Sequence, residues 1–234
     1  MPILQRDGVS IYYEVHGSGY PLLLLAPGGM NSVAQMWRES PAAPGQPMPW
    51  IDPREVLSDR FTVIAMDQRN AGSSTAPIGP ADGWTTFAGD HLALLDHLGF
   101  DRAHALGGCI GSSYVLGLCQ AAPQRVTAGV LQNPIGLTAD NRDRFIGMYD
   151  AWAAELSARR RDVDERALAS FGQNMFGGEF VLLVSFIVHE HEMVLLLVEV
   201  LSGDFLDFGR FEMHAERGVV AEAGSGRLWR LKIA

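Results

Sequence analysis

Arg102-Ala103-His104-Ala105-Leu106-Gly107-Gly108-Cys109-Ile110-Gly111-Ser112-Ser113-Tyr114-Val115-Leu116-Gly117-Leu118-Cys119 is the stretch on which the fold turns. Residues 102–106 form a short strand-like run, and residues 112–119 read as a helix. Between them lies small-x-nucleophile-x-small, the pattern of a nucleophile elbow, with cysteine where serine is commoner. The spacing has a physical cause. A nucleophile held on so tight a strand-to-helix turn strains its own backbone, and side chains at the flanking positions would collide. Gly107 and Gly111 supply that room. The turn also aims the N–H of Ile110 and the helix N-terminus at the reacting atom, which favours a thiolate and a developing oxyanion. For these five residues alone, a buried cysteine in a glycine-rich turn is the competing reading.

The flanking sequence bears on that choice. Pro21-Leu22-Leu23-Leu24-Leu25-Ala26 is a buried-strand run that ends in Pro27-Gly28-Gly29-Met30. Arg60-Phe61-Thr62-Val63-Ile64-Ala65-Met66 is another, ending in Asp67-Gln68-Arg69-Asn70-Ala71-Gly72-Ser73-Ser74. A glycine-rich loop after one strand, an Asp-x-Arg-x-x-Gly-x-Ser turn after the next and then the elbow make three motifs in order. Over roughly residues 8–178 the chain resembles the α/β-hydrolases. The cysteine elbow is similar to those of dienelactone hydrolases and polyhydroxyalkanoate synthases, in the elbow only. The combination of Asp67–Ala71, Gly107–Ser112 and Gln132-Asn133-Pro134-Ile135-Gly136 resembles a further group of bacterial α/β-hydrolases more closely. The resemblance implies an α/β-hydrolase fold: a mostly parallel sheet with flanking helices and a small helical cap. It also implies Cys109 as nucleophile, with the N–H groups of Ile110 and of Gly29 or Met30 as an oxyanion hole.

The rest of the chain can be placed around these motifs. Val9 to Val15 alternates like an edge strand, and Gly17-Ser18-Gly19 turns it. Residues 41–53 hold five of the twelve prolines; this loop either walls the pocket, with Trp37 and Trp50 as apolar contacts, or runs as a surface connection. From Trp84 to Leu98 apolar residues recur at helical spacing, with His91 and His97 expected on the solvated side. His104 sits too far back along its strand to reach the elbow and reads as structural. Asp67 and Arg69 are expected to fix their loop through a local ion pair or backbone bonds. Val126 to Leu131 reads as the next parallel strand, after Ala122-Pro123 stops the helix. Alternating strands and helices imply a parallel sheet, whose site forms outside the carboxyl ends of the strands. Three motifs fall there.

Residues 137–178 are helical in character, in two segments, Arg144 to Ala158 and Glu165 to Met175. In the family, an insert here caps the site. Phe145, Met148, Tyr149, Trp152, Phe171, Met175 and Phe176 then face core or pocket, with core expected for most. The division is therefore residues 1–136 as core, 137–178 as cap insert and 179–234 as an atypical C-terminal segment of the core.

A length of 234 residues suffices for one domain with a full core, and the net charge of −9 disfavours nucleic acid and anionic membrane as partners. Neither glycine-rich loop has the Gly-x-Gly-x-x-Gly spacing and no Gly-Lys-Ser/Thr occurs, so a nucleotide site is set aside and no cofactor is expected. Cys109 and Cys119, the two cysteines, stand about 15 Å apart along one helix, beyond disulfide reach. Met1 to Asp7 lacks a basic stretch followed by an apolar core, so the expected compartment is the cytoplasm.

Past Gly178 the pattern changes. No proline follows Pro134, and Phe180 to Val188 and Met193 to Leu201 are apolar runs split by His189-Glu190-His191-Glu192. Neither run is long enough to span a membrane. An elbow of this kind needs an acid and then a histidine further along the chain. The second run ends in Ser202-Gly203-Asp204, so Asp204 is the candidate acid, with Asp207 chemically equivalent nearby. His214 is the candidate base, although it lies only ten residues past Asp204. His189 and His191 could share a metal, but no third ligand is evident and no metal is expected. Arg227 to Ile233 is the candidate last strand. Two origins fit such a tail: a divergent ending, or a reading frame shifted near residue 180. The function expected is hydrolysis of a small acyl compound (an ester, thioester or lactone). The alternatives are an acyltransferase and a non-catalytic protein of the same fold with an incomplete triad.

Overall fold

The computed structural model describes residues 2–41, 43–48, 50–133 and 142–177 (176 and 177 by backbone alone). It also describes the backbone of 194–198, 212–214, 218–222 and 228–230. The chain opens with a hairpin of β1 (Ile3–Arg6) and β2 (Val9–His16). Its two-residue turn is Asp7-Gly8, both at positive φ (48° and 79°), the backbone that an Asp-Gly hairpin turn demands. Along β2 the side chains of Val9, Ile11 and Tyr13 are buried and those between are not, as the alternation predicts.

Next come β3 (Tyr20–Leu25), the single turn α1 (Pro53–Val56) and β4 (Phe61–Met66). Leu23, Leu24 and Leu25 and Val63 to Met66 have no exposed surface. Continuous apolar runs of this kind suit strands covered on both faces. Helix α2 (Trp84–His97), β5 (Ala103–Gly108), α3 (Ile110–Ala121) and β6 (Val126–Gln132) complete the alternation. Two further helices follow, α4 (Arg142–Arg159) and α5 (Glu165–Gly172). The strand β7 (Val194–Val198) pairs in parallel with β6, from Ala128 opposite Val194 to Gln132 opposite Val198. The sheet order is β1-β2-β4-β3-β5-β6-β7, parallel from β4 onward and antiparallel at β1 and β2. The chain thus has the mostly parallel sheet and flanking helices expected of it.

The second apolar run of the tail therefore supplies a strand of the main sheet, but the candidate last strand does not extend it. Leu228–Arg230 (β10) pairs antiparallel with Gly218–Glu222 (β9), which pairs in turn with Glu212–His214 (β8), as a separate three-stranded sheet. Connections this short allow only antiparallel pairing; a parallel partner needs a crossover of a dozen or more residues.

On one face of the sheet, α2 and α3 pack through Phe87, Leu94, Leu95, Tyr114 and Val115, and Phe171 of α5 joins them against the Phe87 ring at 6.0 Å. His91 belongs to this core. It has no exposed surface, and its Nε2 lies 2.9 Å from Oε1 of Gln68. The expectation of a solvated His91 fails because position 91 shares its helix face with Phe87, Leu94 and Leu95, three or four residues away. Burial pushes its pKa down to about 3. His97 is exposed as expected, with Nε2 3.1 Å from the Tyr13 hydroxyl. His104 lies in β5, bonded to Thr127 at 2.8 Å.

Candidate active site

Between the last residue of β5 and the first of α3 stands Cys109, with φ 54° and ψ −116°. A non-glycine residue held there costs on the order of 1–3 kcal/mol and persists only where its surroundings enforce it. The enforcement is visible. Its N–H donates to the Gln132 carbonyl at 2.9 Å, and the Ser112 hydroxyl donates to the Gly107 carbonyl at 2.9 Å. A Cβ on Gly107 would lie 2.1 Å from the Gly111 carbonyl oxygen, and one on Gly111 would lie 1.9 Å from that of Leu25. The two flanking glycines are thus required by the close approach of backbone on both sides of the turn.

The loop after β3 approaches the same point. Gly28 and Gly29 take φ values of 121° and 62°, and a short helical turn over Gly29–Asn31 follows. The loop after β4 holds it in place. Asp67 accepts hydrogen bonds from the Ala34 and Ser73 amides, each at 2.8 Å, and the Gln68 N–H donates to the Ser32 carbonyl at 3.0 Å. Burial nevertheless raises the pKa of Asp67, with these amides opposing. Arg69 makes no local ion pair with Asp67. It forms a bidentate pair with Asp90 of α2, at 2.7 and 3.0 Å. Of the two expectations for this turn, backbone bonds describe Asp67 and a longer-range ion pair describes Arg69.

Burial pushes the Cys109 thiol pKa up, while the amides of Ile110 and Gly28 act on the sulfur in the opposite direction; the net shift is upward. Gly28 was not singled out in the sequence, although it lies in the quoted loop. It takes a positive φ of 121°, and its amide is one of the two that bear on the sulfur. Cys109 shares a cavity of about 40 Å³ with Gly29, Met30, Ile110, Phe145, Met148 and Tyr149. Four candidate residues, Cys109, Ile110, Gly29 and Met30, are therefore brought together. Trp152, Phe171 and Met175 are core, Tyr149 is buried in the core and also lines the cavity with Phe145 and Met148, and the Phe176 side chain lies outside the described residues.

A wider cleft of about 860 Å³ lies along the other side of the loop, lined in part by Gly28, Asn31, Glu39, Ser40, Pro41, Glu155 and Arg159. Of the proline-rich loop, Pro41 lines this cleft, whereas Trp37 does not. It is buried beneath β3 and β4 with Leu22, Leu24 and Val63, and Trp50 donates its indole N–H to the Trp37 carbonyl at 3.1 Å.

The candidate acid Asp204 lies outside the described residues, as do Asp207, His189 and His191. His214 ends β8, where the backbone alone is described. The four histidines with described side chains are engaged away from the sulfur: His16 with Glu14, His91 with Gln68, His97 with Tyr13 and His104 with Thr127. Among the described residues no cluster of three or more His, Cys, Asp or Glu side chains is placed to hold a metal. No helix among them is long and apolar enough to cross a membrane.

Comparison with known proteins agrees with this fold. Residues 21–183 match the family described as alpha/beta hydrolase fold. The chain is similar to RutD of Azorhizobium caulinodans, 36% identical over 133 residues, covering 57% of this chain and 44% of that protein. It is also similar to the zearalenone hydrolase of Cladophialophora bantiana, 31% identical over 160 residues, covering 66% and 53%. The chain thus spans about half the length of these two relatives. A solved hydrolase from Pseudomonas aeruginosa PA01 superposes with a TM-score of 0.50 at 26% identity, covering 74% of this chain and 71% of that one. Since the family match takes in well over half of the 234 residues and its elements fall in the observed order, this chain belongs to the α/β hydrolase fold family.

Proposed function

We propose that this protein is a hydrolase that passes the acyl group of a small ester, thioester or lactone through Cys109 to water. The observation that carries the proposal is the strained Cys109 backbone at the strand–helix junction, with two amides bearing on its sulfur. A fold alone does not establish a reaction; a nucleophile held at φ 54° with donors around it supports one. The thiol gives its proton to a base, and the sulfur attacks the acyl carbon. The carbonyl π electrons move onto oxygen, which the amides of Ile110 and of the Gly28–Met30 loop hold. Collapse of that oxyanion expels the leaving group, which takes up the proton. Water then attacks the thioester, restores the thiol and releases the acid. Losing one such donor typically costs about 2.7–4 kcal/mol of barrier. For the base, His214 oriented by Asp204 is the candidate from the C-terminal segment. The relation to a zearalenone hydrolase supports hydrolytic chemistry.

A second reading, a non-catalytic pocket on the same fold, draws support from the raised thiol pKa and from the engagement of the four described histidines elsewhere. One experiment separates the two. The protein and its Cys109→Ala variant are incubated with p-nitrophenyl acetate, the Cys109 peptide is examined by mass for an acyl adduct, and iodoacetamide alkylation at that peptide is followed against pH. The catalytic reading expects an adduct on Cys109 and loss of turnover in the variant. Absence of the adduct, with alkylation rising only above about pH 8.5, would overturn it in favour of the non-catalytic pocket.

A further inference from the structure

We infer that Met148 limits the length of the acyl group that reaches Cys109, restricting the site to short chains. The inference rests on the proposed acyl transfer at Cys109 and names the substrate class for it. Among the walls of the Cys109 cavity, Gly29, Met30, Ile110 and Tyr149 are fixed, and Phe145 packs partly buried against the core. Met30 and Ile110 are buried, at 6% and 5% exposure, and Gly29 presents backbone. The Tyr149 hydroxyl donates to the Leu168 carbonyl, and its ring packs between those of Trp152 and Phe171, with centroids 5.5 and 5.8 Å away. Behind it, Gly172 sits so close that a Cβ there would stand 2.4 Å from the Tyr149 ring. Tyr149 cannot retreat.

Met148 is different. It is 52% exposed, and its Cε stands 3.4 Å from where a Gly29 Cβ would be, at the mouth of the cavity beside the loop. An unbranched thioether with three rotatable bonds can move, yet in place it closes the space. A water-sized group needs about 10–15 Å³ in this measure, so a cavity of about 40 Å³ takes roughly three. That suits an acyl chain of about two to four carbons and no polar substituent, since the side chains lining it are apolar apart from the Cys109 thiol and the Tyr149 hydroxyl. Met148→Ala removes Cγ, Sδ and Cε, room for about three more carbons.

The test compares the native protein, Met148→Ala and Met148→Leu on p-nitrophenyl acetate, butyrate, hexanoate and octanoate. In parallel, Cys109 is alkylated with iodoacetamide and with N-hexyl iodoacetamide. In the native protein kcat/KM is expected to fall at least about tenfold from butyrate to hexanoate, the penalty of misplaced methylenes in an apolar pocket. Met148→Ala should move that fall beyond hexanoate and raise the hexyl-to-unsubstituted alkylation ratio by about tenfold, while Met148→Leu keeps the native profile. Unchanged profiles and an unchanged alkylation ratio in Met148→Ala would overturn the inference. If no ester is turned over but the alkylation ratio rises, the limit set by Met148 stands and the hydrolase proposal is the one that fails.

Discussion

Alanine placed at Gly111 and at Gly117, six residues apart in α3, should change stability in opposite directions. At Gly111 the new Cβ would stand 1.9 Å from the Leu25 carbonyl oxygen and 2.7 Å from its carbon, where real Cβ atoms stay beyond 3.0 Å. More than an ångström of movement is required, and the obstacle cannot supply it. Leu25 is fully buried in β3 and registered against Gly107 of β5. Overpacking of this kind costs about 1–3 kcal/mol or more, and an offset of about 1 kcal/mol returns from helix propensity. With a clash this deep, a net loss of about 2 kcal/mol or more is expected. At Gly117 nothing lies within 4 Å of the added methyl, so only the propensity gain of about 0.8–1 kcal/mol remains. For a chain of this size each kcal/mol moves Tm by about 2–4 °C. Gly111→Ala should melt at least about 4–8 °C below the native protein and Gly117→Ala about 2–4 °C above it. Urea unfolding followed by far-UV circular dichroism, beside scanning calorimetry, gives both numbers. A Gly111→Ala protein as stable as the native one would mean that α3 does not enter against β3 as described, and the steric account of the elbow would be wrong.

Two further outcomes follow from the buried charges and polar groups near this helix. Arg69 and Asp90 are 6% and 1% exposed. Arg69→Met leaves Asp90 with the longer contact to half-exposed Arg6 at 3.5 Å, and Asp90→Leu leaves Arg69 with Asp82 at 3.6 Å. Either change should therefore cost up to about 3–5 kcal/mol, whereas the double variant should cost clearly less than the sum in a double-mutant cycle. Additive losses would show that the two groups do not act as a pair. His91 has a folded pKa of about 3 against an ordinary 6.5. Between those values the unfolded chain binds the proton and the folded chain does not, so this contribution is complete above pH 6.5 and fades as pH falls toward 3. Denaturant midpoints measured from pH 7 to 4.5 should therefore fall more steeply for the native protein than for His91→Gln, by up to about 1.4 kcal/mol per pH unit. Parallel curves would refute a neutral, buried His91.

The elbow could be read once its five residues were set beside the two flanking loops, and the strands before it because long apolar runs suit a covered parallel sheet. Phe87, Leu94 and Leu95 mark the buried stripe of α2 in the sequence itself, and His91 lies on that stripe, which is why it is buried. Trp37 was offered to the pocket, yet it fills the opposite side of the sheet, where Gly108 leaves just enough room: a Cβ there would meet the indole at 3.1 Å. Nothing in linear sequence distinguishes the two faces for a residue in an irregular loop. The Arg69–Asp90 pair spans 21 positions, a separation that neither a local ion pair nor backbone bonds within the turn would suggest. The candidate acid and base lie where the structure describes no side chains. Asp204 and His214 were chosen by chain order, and neither residue type carries a local steric signature like the one glycine leaves at an elbow.

Floor and roof of the site are built to different tolerances, and this division separates what the protein can do from what it can accept. Below, the loops after β3 and β4 are bound to one another through Asp67, Ser32 and Gln68, and the elbow is locked by Gly107 and Gly111. Gly72 belongs to the same lock, since a Cβ there would stand 2.3 Å from the Asp67 carboxylate. Amides fixed in this way need not reorganise as charge develops on a reacting oxygen, which is where such donors gain their effect. Above, α4 reaches the cavity through Phe145 and Met148, and the second of these is half exposed and free to rotate. Under the proposed acyl transfer, a change in the floor misplaces a donor or the sulfur and so alters whether chemistry occurs. On the same proposal, a change at Met148 leaves every donor where it was and alters the size of the acyl group admitted. Substrate range would then respond to single substitutions along α4 that leave the elbow beneath undisturbed.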